Sequence, residues 1–197
     1  MKMSLENNAD FTAFKQELKN RLASRVVRDL SATGLKQASV MMLFMNKDGA
    51  VHVLLTRRTD TLTTHSGQVA FPGGRVDNGE DRLAAAFRET EEEVGIGRDR
   101  IEYLGRFDDY VSIAGFHVFC FAGAIEYPYE YDLNRNEIES SFEAPLSLFV
   151  EQAFERCEIF NYRGSDYRVF YYYYKDYEIW GLTARILTDF GEKICRD

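Results

Sequence analysis

The sequence has no apolar run near the roughly 18 residues needed to span a bilayer, and its N-terminus, M-K-M-S-L-E-N-N-A-D, lacks the apolar core of a signal peptide. Neither a membrane association nor export is expected, which favours a cytoplasmic protein. Cysteine is scarce. Cys120, Cys157 and Cys195 are odd in number and scattered, so they make neither a disulfide framework nor a metal-ligand spacing, and reduced thiols suit a cytosol-like compartment. Positive charge is short as well: the formal net charge is −8, which argues against a nucleic-acid partner because such binding needs a basic face. An anionic small molecule is not excluded, since local arginines and metal ions can reverse the field inside a cleft. There is no internal repeat, linker or low-complexity tract apart from Tyr171 to Tyr174.

The residues that are present, 45% hydrophobic and 28% charged over 197 positions, suit one globular domain with a sizeable core. Phe11, Phe14, Leu18, Leu22, Val26 and Leu30 recur at helical spacing and predict an amphipathic helix over 11–30 that covers an edge of the core. Residues 38–56 read as a hairpin, with Asp48-Gly49 as the turn signal between two β-prone runs. His52 there, and His117 further on, fit structural positions better than catalytic ones. Residues 57–68 are polar and predict a loop, and Pro72-Gly73-Gly74 is expected to end the short strand V-A-F sharply. A helix follows over Leu83 to Val94, with Leu83, Phe87, Thr90 and Val94 facing the core and Gly95 as its cap. Strands are expected at I-E-Y-L-G-R-F and F-H-V-F-C-F-A-G-A-I, then a short strand and a helix opened by Pro145 within 137–154. An aromatic hairpin, Tyr167 to Trp180, and a helix over Leu182 to Glu192 complete the chain, which is α/β or α+β in layers.

The stretch from Glu80 to Glu93 holds six acidic residues and two basic ones. Like charges at i,i+4 repel by a few tenths of a kcal/mol, so a cation is expected among them. At about 3.6 residues per turn, Glu89, Glu92 and Glu93 share a face placed opposite the apolar stripe, and Arg88 is an i,i+4 neighbour of Glu92. Carboxylates with no nearby cysteine and no histidine at a matching spacing suit hard divalent cations. Mg²⁺ in particular keeps several waters and binds substrate phosphates, so a phosphate-containing substrate is expected. A solvated acidic helix face is the plainer alternative, but it leaves the Pro-Gly-Gly turn and the arginine directly before Glu89 unexplained.

Gly74, Glu80, Arg88-Glu89, Glu92-Glu93 and Gly95-Ile96 stand in an order and spacing that resembles the Nudix box of the Nudix hydrolases. The match is long and specific, with one departure, Thr90 in place of a bulky aliphatic residue. The resemblance implies an α/β (α+β) fold: an α/β/α sandwich with a mixed sheet and the box as a loop–helix–loop. The domain itself would span 36–197, with 1–35 a helical extension packed on it. It also implies hydrolysis of a nucleoside diphosphate linked to another group, with Mg²⁺ or Mn²⁺ as cofactor. Carried over by position, Glu89 and Glu93 are the metal ligands, with Glu92 a third ligand or the activator of water. Arg88 would hold the glutamates by ion pairing, and Glu80 would support them. Glu137 is the other candidate for general base.

The preceding run, Leu54 to Gly74, is similar to the segment before the box in coenzyme A diphosphatases. Leu54, Leu55, Thr56, Arg58, Gly67, Phe71, Pro72, Gly73 and Gly74 fall at matching positions. Thr59 and Thr63 depart, the latter where an arginine is expected. A charged arginine–phosphate contact is about twice as strong as a neutral one, so Arg57, Arg58, His65 or Arg75 would have to substitute, with Gly73 and Gly74 also at the substrate. The run Tyr177 to Leu187 resembles the end of the same subfamily, and residues 1–34 carry little of the likeness. The implied reaction splits coenzyme A or its thioesters into 3′,5′-ADP and a 4′-phosphopantetheine fragment. ADP-ribose, NADH or a dinucleoside polyphosphate is the alternative substrate. A non-catalytic nucleotide-sensing module fits less well, because Glu89, Glu92 and Glu93 are all present. The tyrosine-rich segment leaves adenine stacking or a homodimer open, although an ordinary sheet with one exposed face explains it.

Overall fold

The computed structural model describes residues 3, 5, 10–30, 34–59, 67–162 and 165–196. The molecule is built around strand β1 (Lys36–Lys47). Its run V-M-M-L-F-M alternates between two covered faces: Met41, Leu43 and Met45 enter one apolar cluster, Met42 and Phe44 the other. A strand buried on both sides needs no polar alternation. Strand β2 (Ala50–Arg58) returns antiparallel with Lys47 opposite Ala50. Asp48 and Gly49 between them both have positive φ, 52° and 79°, as the favoured two-residue hairpin turn requires.

Strand β3 (Val69–Ala70) pairs with β2, and β4 (Gly73–Arg75) pairs antiparallel with β1. After helix α2 (Arg82–Val94) come β5 (Glu102–Arg106), β6 (Tyr110–Val111) and β7 (Phe116–Ala124). β7 lies parallel to β1 and antiparallel to β5 and β6, while β8 (Ile138–Pro145) runs antiparallel to β2. The sheet is therefore mixed. A short helix α3 (Ser147–Val150) leads to a separate antiparallel sheet of β9 (Arg156–Tyr162), β10 (Ser165–Tyr174) and β11 (Tyr177–Trp180). Helix α4 (Gly181–Phe190) and a π-helical turn over Gly191–Cys195 end the described chain.

Helix α2 covers one face of the large sheet through Ala86, Phe87 and Val94. Helices α1 (Phe11–Ser24) and α4 cover the other through Phe14, Leu18, Leu22, Ile186, Leu187 and Phe190. The result is an α/β/α sandwich with a mixed sheet. Rings join the second face: Phe14 meets Phe44, Phe44 meets Phe190, and Phe190 meets Phe107, at centroid distances of 5.8, 5.3 and 5.2 Å.

Several expectations are corrected. Helix α1 stops at Ser24, Arg25 is extended, and Val26 is 94% exposed. Distant carboxylates capture the chain here: Arg25 pairs with Asp108 at 2.9 Å, and the amides of Arg28 and Leu30 donate to Asp108 and Asp109 at 2.9 and 3.1 Å. Gly73 and Gly74 do not merely end a strand but begin β4 themselves; a Cβ on Gly73 would collide with the backbone of Ser39 and Val40. Part of the expected loop is strand, since β2 runs to Arg58, and residues 60–66 lie outside the described residues. Pro145 closes β8 opposite His52 instead of opening a helix, and α3 has only four residues. Strands β6 and β9 were not expected. The β10–β11 hairpin falls where predicted, with Tyr174 opposite Tyr177, and Tyr172 is buried while Tyr173 is exposed.

His52 is 8% exposed with Nδ1 3.1 Å from the Ala50 carbonyl, and His117 is buried with Nε2 2.7 Å from Asp109. Both are structural. All three cysteines are free thiols. Among the described residues no helix is long and apolar enough to cross a membrane.

Candidate active site

Helix α2 is aimed by its ends. The Asp81 carboxylate accepts the Leu83 and Ala84 amides, both at 3.0 Å, and Gly95 closes the helix in the left-handed conformation at φ 70°. Thr90 is fully buried, its hydroxyl donating to the Ala86 carbonyl at 2.7 Å, so the departure from a bulky aliphatic side chain leaves no unpaired polar atom.

Glu93 is not on the far side of the helix from the apolar stripe. It lies beside Val94 at the seam where α2 meets β2 and β4, and only 2% of it is exposed. One oxygen accepts the Gly73 amide and the other Arg58 Nη1, each at 3.1 Å. Burial pushes its carboxyl up to about 7; the Gly73 amide and Arg58 oppose that shift, while Glu89 and Glu137 add to it by repulsion.

Arg88 holds three carboxylates. Its Nε and Nη2 grip both oxygens of Glu80 at 2.9 and 3.0 Å, Nη1 reaches Glu89 at 2.9 Å and Glu92 at 3.1 Å, and Nη2 also donates to the Arg75 carbonyl. These contacts, with Glu80 the strongest, raise the guanidinium above its ordinary range, and in return Arg88 holds Glu80 below its own. For Glu89 burial outweighs Arg88, and its carboxyl sits above the usual range, with Glu92 and Glu137 adding repulsion.

Strand parity divides the remaining candidates. Arg58 points to the α2 face, where it bridges Glu93 and Glu137, the latter at 3.6 Å. Gly74 faces the same way, and a Cβ on it would collide with the Glu89 carboxylate. Arg57, one residue earlier, shares the opposite face with its β3 partner Val69 and pairs with Glu139 at 3.0 Å. Arg75 is also on that face, opposite Ala38 and 5.5 Å over the Phe116 ring. Glu92 and Glu137 are the open members of the cluster, with side chains 56% and 44% exposed. His65 and Thr63 lie outside the described residues. One contact had no signal in the sequence: the Thr183 hydroxyl of α4 donates to the Val69 carbonyl at 2.9 Å, tying α4 to β3.

Glu89, Glu92, Glu93 and Glu137 form a hard oxygen donor set whose members repel one another. Among the described residues no three potential ligands converge into a ready cage, because Arg88 holds Glu89 and Glu92 while Arg58 and Gly73 hold Glu93. A cation with two carboxylate ligands, completed by water and substrate phosphate, fits these residues, which is the habit of Mg²⁺ and Mn²⁺.

The NUDIX domain matches residues 35–154. A Klebsiella pneumoniae protein named uncharacterized Nudix hydrolase NudL is 35% identical over 164 residues, covering 83% of this chain and 85% of that one. Nudix hydrolase 22, chloroplastic, of Arabidopsis thaliana is 35% identical over 159 residues, 77% of this chain and 53% of the plant protein. Among solved structures, a C. elegans Ap4A hydrolase binary complex shares the fold with a TM-score of 0.50 at 21% identity, over 59% of this chain and 85% of that one.

Proposed function

The chain belongs to the Nudix family of hydrolases, and we propose that it hydrolyses the diphosphate bond of coenzyme A or its thioesters with Mg²⁺ or Mn²⁺. The observation that carries the choice of substrate is the meeting of two segments. Residues 54–74 and 177–187 each resemble coenzyme A diphosphatases, and the Thr183–Val69 hydrogen bond brings them together. Glu89 and Glu93 would hold the metal, and Arg88 sets the position of Glu89 and Glu92. Arg58, with Gly73, fixes Glu93. A divalent ion held there would supply Lewis-acid chemistry, making water easier to deprotonate and offsetting charge on the diphosphate. Glu92 or Glu137 accepts the proton from the attacking water. Glu137 has the better support, because Arg58 ties it to Glu93.

A substrate panel with Mg²⁺ and Mn²⁺, read by product mass, tests this. Coenzyme A should yield 3′,5′-ADP and 4′-phosphopantetheine. Intact coenzyme A alongside cleaved ADP-ribose would reject the substrate and keep the chemistry.

A further inference from the structure

The sheet face opposite α2 carries an apolar shelf beside the diphosphate site. Ala38, Val40 and Phe116 are only partly covered there, as is Leu182 of α4. The shelf begins at Gly73, since Val40 is its partner in the β1–β4 register and lies within contact of it. Arg75 stands over Phe116 at one side of the shelf. On β6, Tyr110 is the partner of Val118, two residues along β7 from Phe116 on the same face. Over Tyr110 stands Arg185, 5.7 Å from that ring and 5.9 Å from Tyr167.

Arg185 differs from Arg57, Arg58 and Arg88, and unlike Arg75, which stands over the single Phe116 ring, it is framed by two rings. Arg58 and Arg88 spend their donors on glutamates, and Arg57, on the same sheet face as the shelf, is engaged by Glu139. Asp189 lies one helical turn beyond Arg185 but accepts the Tyr110 hydroxyl at 2.8 Å instead. Among the described residues Arg185 has two aromatic neighbours and no ion pair. Ring faces offset an exposed cation by only about 0.5–1 kcal/mol, whereas a phosphate takes two parallel charge-assisted bonds from one guanidinium. A planar fork framed by rings suits a phosphate.

We infer that Arg185 recognises a phosphomonoester on the nucleoside half of the substrate. In coenzyme A this is the 3′-phosphate, so Arg185 supplies the cation that Thr63 does not. The inference rests on the coenzyme A reading, and the experiment separates the two. Wild type and Arg185→Gln are compared on coenzyme A and on 3′-dephospho-coenzyme A, which share the scissile diphosphate. The ratio of their kcat/KM values should favour coenzyme A in the wild type and fall roughly 10- to 100-fold in the variant, as loss of a charged hydrogen bond predicts, with Arg185→Lys between. Calorimetry without metal supplies a second readout: 3′,5′-ADP should bind the wild type more tightly than 5′-AMP, and Arg185→Gln should erase that difference. Equal losses on both substrates, or an unchanged ratio and unchanged binding preference, would overturn the inference. Hydrolysis of other nucleoside diphosphates with both coenzyme A forms left intact would overturn the coenzyme A reading and this inference with it.

Discussion

In the proposed reaction Glu93 is the residue on which the chemistry would depend most. Its carboxyl is buried, is raised by that burial, and is balanced only by one amide and one guanidinium. If Glu93 holds the metal, Glu93→Gln should lower kcat by about 100-fold or more. The same change removes a buried charge, so the melting temperature should hold or rise. Activity near that of the wild type would rule out the ligand role. The two open glutamates can be separated by the same logic. If Glu137 is the base, Glu137→Gln should lose about 100-fold and flatten the acidic limb of the pH–rate profile, and Glu92→Gln should keep that limb. The reverse pattern would assign the base to Glu92.

Helix α2 works as an element because its ends and its neighbouring strand position the glutamates together. Asp81→Ala should cost about 1 kcal/mol of stability, the usual loss for a helix cap, measured by urea unfolding. The paired glycines of β4 should behave differently from each other. Gly73→Ala meets the backbone of β1, which cannot yield, so a loss of about 2 kcal/mol or more is expected. Gly74→Ala meets only the end of the Glu89 side chain, so turnover should drop much more than stability.

At the scale of the molecule, Asp108 joins segments far apart in sequence. It takes the Arg25 guanidinium, the Arg28 amide and the Lys193 ammonium, each at 2.9 Å. Burial alone would raise its carboxyl, but these three partners override that and hold it at about 2, against an ordinary 3.8. A carboxyl depressed by folding stabilises the protein above its unfolded pKa, and that contribution is lost as pH falls through the folded value. The shift corresponds to about 2 kcal/mol. Stability should decline from about pH 4 towards pH 2, and Asp108→Asn should be weaker at pH 7 with a flatter acid limb in thermal melts.

Helix α2, its glycine cap, the β1–β2 turn and the aromatic hairpin were legible in the sequence because each depends on local periodicity or on turn chemistry. The box glutamates were legible for the same reason: their spacing is set within one helix. Other features depended on residues far along the chain. Asp108 and Asp109, some eighty positions away, end α1 before Val26. The register of β2 decides that Arg58 meets Glu93 while Arg57 faces away, since neighbouring side chains on a strand point to opposite faces. The packing of α2 on β4 buries Glu93, and the docking of α4 beside β6 sets Arg185 over Tyr110 with no acid partner among the described residues. The sequence by itself determined which residues carry charge and which helix gathers them. Only the tertiary structure decided which face of the sheet each one serves, because pairing between distant strands sets that parity.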